Sequence, residues 1–296
     1  AVTGVQTCAL PIFTDAIIQS DASIEQKNAF LEKFPKGILN VKMLLDGNGH
    51  SFADLVGAGF PAELLKDLST RLTSHGVGPG EVALAIMSPQ IKWSGREVGG
   101  GDILVNGRPI EVKTRVSSGG RWINPRKANM NLPAIKQAIE EKTQFDVPDR
   151  LNVTDWVNVY RPNIEKKDLP DVAKTIADGI FNAVDTKAYQ DMLIRGDVED
   201  IIDEHLRTGY ENYKELSGFE GILLMDLPTE TSQYFTSYDD MIGLIKNDAV
   251  YIYGPEGEMM PKVSLQGTGG GTKTKAGKEE PSAPAADLPE PTISKR

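Results

Sequence analysis

Two acids and a lysine flank an Asn-Gly turn in GGGDILVNGRPIEVKTR, residues 99–115. Asn-Gly between two short apolar runs is the strongest local signal for a two-residue β-hairpin. With Asn106 and Gly107 at the tip, Val105 pairs with Arg108, Leu104 with Pro109, Ile103 with Ile110 and Asp102 with Glu111. Pairs alternate in hydrogen bonding, so Pro109 falls where its missing N–H costs the ladder nothing. Asp102 and Glu111 form a pair of the same class, with Cα atoms about 4.5 Å apart. Like charges so placed destabilise a sheet by up to roughly 1 kcal/mol. A divalent cation between them reverses that sign, because hard carboxylate oxygens suit Mg²⁺. Lys113, two residues past Glu111, shares its face. The competing reading of Glu111, Lys113 and Arg115 is an amphipathic strand with a solvated charged face.

Upstream, GPGEVALAIM carries Glu81 in the first turn of an apolar helix, where an acid is favourable in any case. An aspartate, then Glu-x-Lys on the next strand, with an acid on a preceding helix, resembles the active-site motif of the PD-(D/E)XK nuclease superfamily. The matching residues are Glu81, Asp102, Glu111 and Lys113, and Gly101 stands where the motif has proline. The resemblance covers about residues 78–115. It implies a restriction-endonuclease-like α/β fold, a mixed sheet flanked by helices. It also implies Mg²⁺ ligation by Asp102, Glu111 and the Val112 carbonyl, with Glu81 at a second metal or an outer-shell water. Lys113 would orient or help deprotonate the attacking water. The implied activity is Mg²⁺-dependent phosphodiester hydrolysis of DNA by an endonuclease, encoded by a phage or mobile element. The alternative is a non-catalytic phage structural or DNA-packaging-associated protein that retains such a fold. Gln137, on the next helix, is a further candidate for approach to the site.

The flanking charge is consistent with a polyanion substrate. From Arg108 to Lys127 there are six basic residues and one acid, in a chain of net charge −10. Arg115, Arg121, Trp122, Arg126 and Lys127 are therefore the expected DNA contacts, the tryptophan by stacking on a base. Each taken singly is equally well read as a solvated loop residue. LQGTGGGTKTK resembles a phosphate-binding loop superficially, but Thr272 replaces its second glycine and no helical pattern follows. His50, His75 and His205 lack metal-ligand spacing.

The elements that must hold these residues alternate in type. Residues 13–75 read as a helical N-terminal region and residues 76–266 as an α/β core of about five strands. A helical insertion is expected around 150–217, and GILLMDL (221–227) as a buried strand. SYDDMIGLIKN reads as a helix and AVYIYGPEGEMMPKVSLQ as a second hairpin, before a disordered tail over 267–296. The 296 residues, 40% hydrophobic and 25% charged, are ordinary for a globular protein, with no run long enough to span a bilayer. Residues 2–12, VTGVQTCALPI, resemble a translated sequencing-adapter oligonucleotide and are excluded from fold reasoning. Cys8, the single cysteine, goes with them, which removes a disulfide or thiolate site and fits a reducing cytosol. The expected setting is the cytoplasm, or the host cytoplasm or virion for a phage protein. The expected partners are DNA and, for a homodimer, a second copy, with no membrane.

Overall fold

The structure, a computed structural model, describes residues 14–15, 17–19, 22–33, 36–56, 63–72, 78, 80–94, 101–121, 131–247, 250–253 and 263–266. Their architecture is α/β. The strands are β1 (His50–Ser51), β2 (Ile91–Trp93), β3 (Ile103–Val105), β4 (Arg108–Arg115), β5 (Gly120–Arg121), β6 (Leu151–Asn152), β7 (Gly221–Asp226), β8 (Thr231–Phe235), β9 (Ile245–Asn247), β10 (Tyr251–Tyr253) and β11 (Val263–Leu265). Six of them form one mixed sheet in the order β1-β8-β7-β4-β3-β2. Only β4 and β7 run parallel, and the helical insertion supplies the long crossover that a parallel pair requires.

The alternating strand residues feed two cores, one on each face. Ile110 and Val112 of β4, with Leu223 and Met225 of β7, pack beneath the N-terminal helices, including Glu81–Met87. Ile222 and Leu224 pack beneath the insertion. With both faces covered and a strand on each side, all six residues of β7 are buried, as its unbroken apolar sequence implies.

The insertion is helical as expected, over Leu169–Ile180, Lys187–Arg195 and Val198–Ser217. In the first, Leu169, Val172, Ala173, Ile176, Ala177 and Ile180 form one buried stripe at helical spacing. Gly179 lets that helix approach Leu132–Thr143 closely, since an added Cβ would lie 2.8 Å from Ile135. No helix among the described residues is long and apolar enough to cross a membrane.

Three expectations are corrected. Strands β1, β2 and β8 join the sheet although their short, polar-interrupted sequences carry little strand signal. SYDDMIGLIKN is not a helix: it ends in a 3₁₀ turn at Ile242–Leu244 and then β9, because Ile245–Asn247 pairs with β11. Nor do residues 250–266 form their own hairpin, since β10 pairs with β6, and β11 lies between β5 and β9. The proposed adapter segment and the C-terminal tail lie outside the described residues, as does His75.

His205 sits in the insertion core, fully buried, with Nδ1 2.9 Å from the Tyr189 hydroxyl. Burial pushes its pKa down to about 3. A depressed folded-state value means that the neutral ring's contribution is complete above the unfolded pKa of about 6.5 and is lost as pH falls towards 3. Stability at pH 5 is therefore expected to fall by about 2 kcal/mol from this group. Urea melts against pH check this, and His205→Gln should flatten that part of the profile.

Candidate active site

The hairpin forms in the expected register, with Asn106 and Gly107 both at positive φ as a two-residue turn demands. Val105, Leu104 and Ile103 pair with Arg108, Pro109 and Ile110. The ladder stops there, which corrects the expected Asp102/Glu111 rung. Gly101 adopts φ +70, and a Cβ on it would lie 2.6 Å from the Ile110 carbonyl oxygen. This glycine turns the chain out of the ladder, a conformation that other residues adopt only with strain. The Asp102 N–H consequently donates to the Ile110 carbonyl at 2.9 Å. Ser94 binds the displaced backbone, its N–H donating to the Asp102 carbonyl (3.1 Å) and its hydroxyl to the Gly101 carbonyl (2.7 Å).

With the strand ended, the Val112 N–H lacks its next carbonyl, and the Asp102 carboxylate takes that place. Its Oδ2 accepts from Val112 N at 2.9 Å. A strand residue directs its N–H and C=O to the same side, so the Val112 carbonyl faces the gap that Asp102 occupies.

Glu111 and Lys113 project from the opposite face to Ile110 and Val112, beneath the insertion. Their side chains are only 5% and 11% exposed, which excludes the solvated-face reading. Lys113 Nζ donates to Glu111 Oε1 at 2.6 Å. Tyr213, from Val198–Ser217, donates its hydroxyl to the same oxygen. That hydroxyl lies 3.4 Å from Lys113 Nζ, which stands 5.3 Å from the ring centre. Burial first, then the Glu111 charge, holds the phenol well above its ordinary pKa, so it remains a donor.

Glu81 packs with the helices on the other face. Its Oε1 accepts from Gly78 N (2.7 Å) and its Oε2 from Trp93 Nε1 (3.2 Å). Desolvation, then the nearby Asp102 charge and more weakly that of Glu111, raises its pKa to about 7. Among the described residues no three His, Cys, Asp or Glu side chains gather to hold a metal ion. Glu81 is accordingly a hydrogen-bonded neighbour of the site, not a third clustered carboxylate.

The remaining donors do fit a Mg²⁺ ion of lower protein coordination. Mg²⁺ is commonly bound by one or two carboxylates, with waters and substrate phosphates completing the set. Asp102, Glu111 and the Val112 carbonyl are hard oxygen donors, and both donors on Glu111 use Oε1.

The described side chains of the expected basic stripe, Arg108, Lys113 and Arg115, are each paired with a carboxylate. Arg115 forms an ion pair with buried Asp226 at the matched ends of β4 and β7, so it is a core residue and not an exposed phosphate contact. Arg108 pairs with Glu220 at 2.6 Å. Arg121 is placed by its backbone in β5, opposite Ser264, while Trp122, Arg126 and Lys127 lie outside the described residues. Gln137 is exposed and bonded to Glu141 at 2.6 Å. A cleft of about 520 Å³ at the Arg108 end of β4 is lined by Asp46, Gln233, Tyr234 and Asp240, and contains none of the motif residues.

Tyr213 and Trp93 escaped the sequence reading as partners of the motif, whereas Asp226, at the end of a buried strand, could be read as facing a site but has no second feature in the sequence to support it. Tyr213 repeats the buried spacing of Leu206 and Tyr210 along its helix, so locally it reads as core. No family model, curated protein or solved structure matches this chain.

Proposed function

We propose that the chain is a Mg²⁺-dependent nuclease of the PD-(D/E)XK type that hydrolyses phosphodiester bonds in DNA. The observation that carries this reading is the convergence at the end of β3. There Asp102 is bonded to the backbone between Glu111 and Lys113, and those two residues form a closed pair. Asp102, Glu111 and the Val112 carbonyl would hold the ion. When bound, Mg²⁺ polarises the scissile phosphate and acidifies the attacking water. Lys113 offsets the negative charge that builds on the phosphate oxygens and orients the water. Water adds to phosphorus and gives up a proton to solvent, while the P–O bond to the leaving sugar oxygen breaks and that oxygen takes up a proton from solvent to leave as the sugar hydroxyl.

A second reading is favoured by a different observation. Arg108, Lys113 and Arg115 all spend their charge on protein carboxylates, leaving β4 with little free positive charge for a phosphate backbone. That suits a phage structural or DNA-packaging-associated protein without activity. The full chain incubated with supercoiled plasmid, linear duplex and single-stranded DNA separates the two. Cleavage is expected with Mg²⁺, none after chelation, and a loss of at least about 100-fold with Asp102→Ala. Cleavage that persists after chelation would sink the metal-dependent reading, and no cleavage of any substrate would favour the second.

A further inference from the structure

We infer that Tyr213 is a positioning residue of this site. Its hydroxyl fixes the Glu111 carboxylate so that Oε1 is held by the protein and Oε2 is presented to a divalent cation. The inference rests on the nuclease reading above and adds a part that the motif does not contain.

Lys113 Nζ and the Tyr213 hydroxyl converge on Oε1, and Oε2 makes no hydrogen bond to a described residue. A lysine alone would orient the carboxylate weakly, because an ammonium on a flexible stem is a point charge with rotatable donors. The phenol is different. Its ring is 3% exposed and packs edge-on against Phe219 with centroids 5.3 Å apart. It stands on a 20-residue helix capped at both ends, by the Asp197 side chain and by Gly218 in the left-handed region. The hydroxyl therefore has little freedom, and through it the helical insertion sets the orientation of a strand residue 102 positions away. Groups that hydrogen-bond a metal-binding carboxylate orient it, and their loss typically weakens metal affinity 10- to 100-fold. A hydroxyl that only satisfied a buried acid would matter for folding but not selectively for metal.

Calorimetric Mn²⁺ titration of the full chain distinguishes these roles, using wild type, Tyr213→Phe, Glu111→Gln and the double variant. Tyr213→Phe keeps the ring and its packing. It is expected to weaken Mn²⁺ binding about 10-fold or more and to raise the half-saturating Mg²⁺ for DNA cleavage by a similar factor. Its cleavage rate at saturating metal should stay within about threefold of wild type. In the Glu111→Gln background the same substitution should change Mn²⁺ affinity by less than about twofold, because its effect passes through Glu111. A Tyr213→Phe protein with wild-type Mn²⁺ affinity, or an equal loss in both backgrounds, overturns the inference while leaving the nuclease reading standing. A wild-type chain that neither binds Mn²⁺ nor cuts DNA overturns the nuclease reading itself, before any substitution is compared.

Discussion

Lys113→Met is expected to reduce Mg²⁺-dependent DNA cleavage by at least about 100-fold and to lower folding stability by about 3 kcal/mol. The two effects have separate causes. Cleavage falls because the substituted side chain cannot offset charge developing on the phosphate or orient the attacking water. Stability falls because Glu111, 5% exposed, keeps the Tyr213 hydroxyl as its one side-chain donor among the described residues, and a buried charge stripped of its counter-ion is costly. Lys113→Arg separates the effects. It keeps a cation beside Glu111, so stability should recover to within about 1 kcal/mol of wild type. A planar guanidinium does not reproduce a compact ammonium, so cleavage should remain at least about 10-fold down. Rates are compared well below each variant's melting midpoint, with stability from urea melts. Undiminished cleavage by Lys113→Met would remove Lys113 from the chemistry.

Arg115→Met is expected to destabilise the fold by about 3–5 kcal/mol, the cost of leaving a buried carboxylate without its partner. Asp226 is 5% exposed, and among the described residues its charge is met by Arg115 across the parallel β4/β7 register. The pair is itself imperfect: Arg115 Nε and Asp226 Oδ1 are buried without hydrogen-bond partners. Replacing both residues should therefore recover most of the loss, as buried ion pairs often exchange for apolar residues at little net cost. Urea melts of Arg115→Met and of Arg115→Met/Asp226→Leu check this. DNA binding supplies the contrast. A residue that neutralises a phosphate reduces the salt slope by about 1 when removed, whereas a core ion pair leaves the slope unchanged. An unchanged slope with a large stability loss is expected, and the reverse result would restore Arg115 as a DNA contact.

The parts legible in the sequence were those set by local physics. The Asn106-Gly107 turn determines its own register, because both positions need positive φ and pairing then propagates outward. Helical periodicity marked Leu169–Ile180 and Val198–Ser217, and an unbroken apolar run marked β7 as a strand covered on both faces. Local pattern failed where pairing was decided elsewhere. Ile245–Asn247 is extended because β11 lies beside it, and Tyr251–Tyr253 joins β6, about 100 positions earlier.

For the site, sequence alone determined which groups occur at the end of the hairpin and that Glu111 and Lys113 share a strand face. It placed Asp102 beside Glu111-x-Lys113, a local arrangement within one turn and two strands. Tertiary structure alone decided their chemical state. Gly101 breaks the last rung and sends Asp102 to the Val112 N–H, Tyr213 seizes Glu111 from a distant helix, and Asp226 claims Arg115. Alternation along a strand specifies the direction of a side chain, but its charge and freedom depend on what the rest of the chain packs against it.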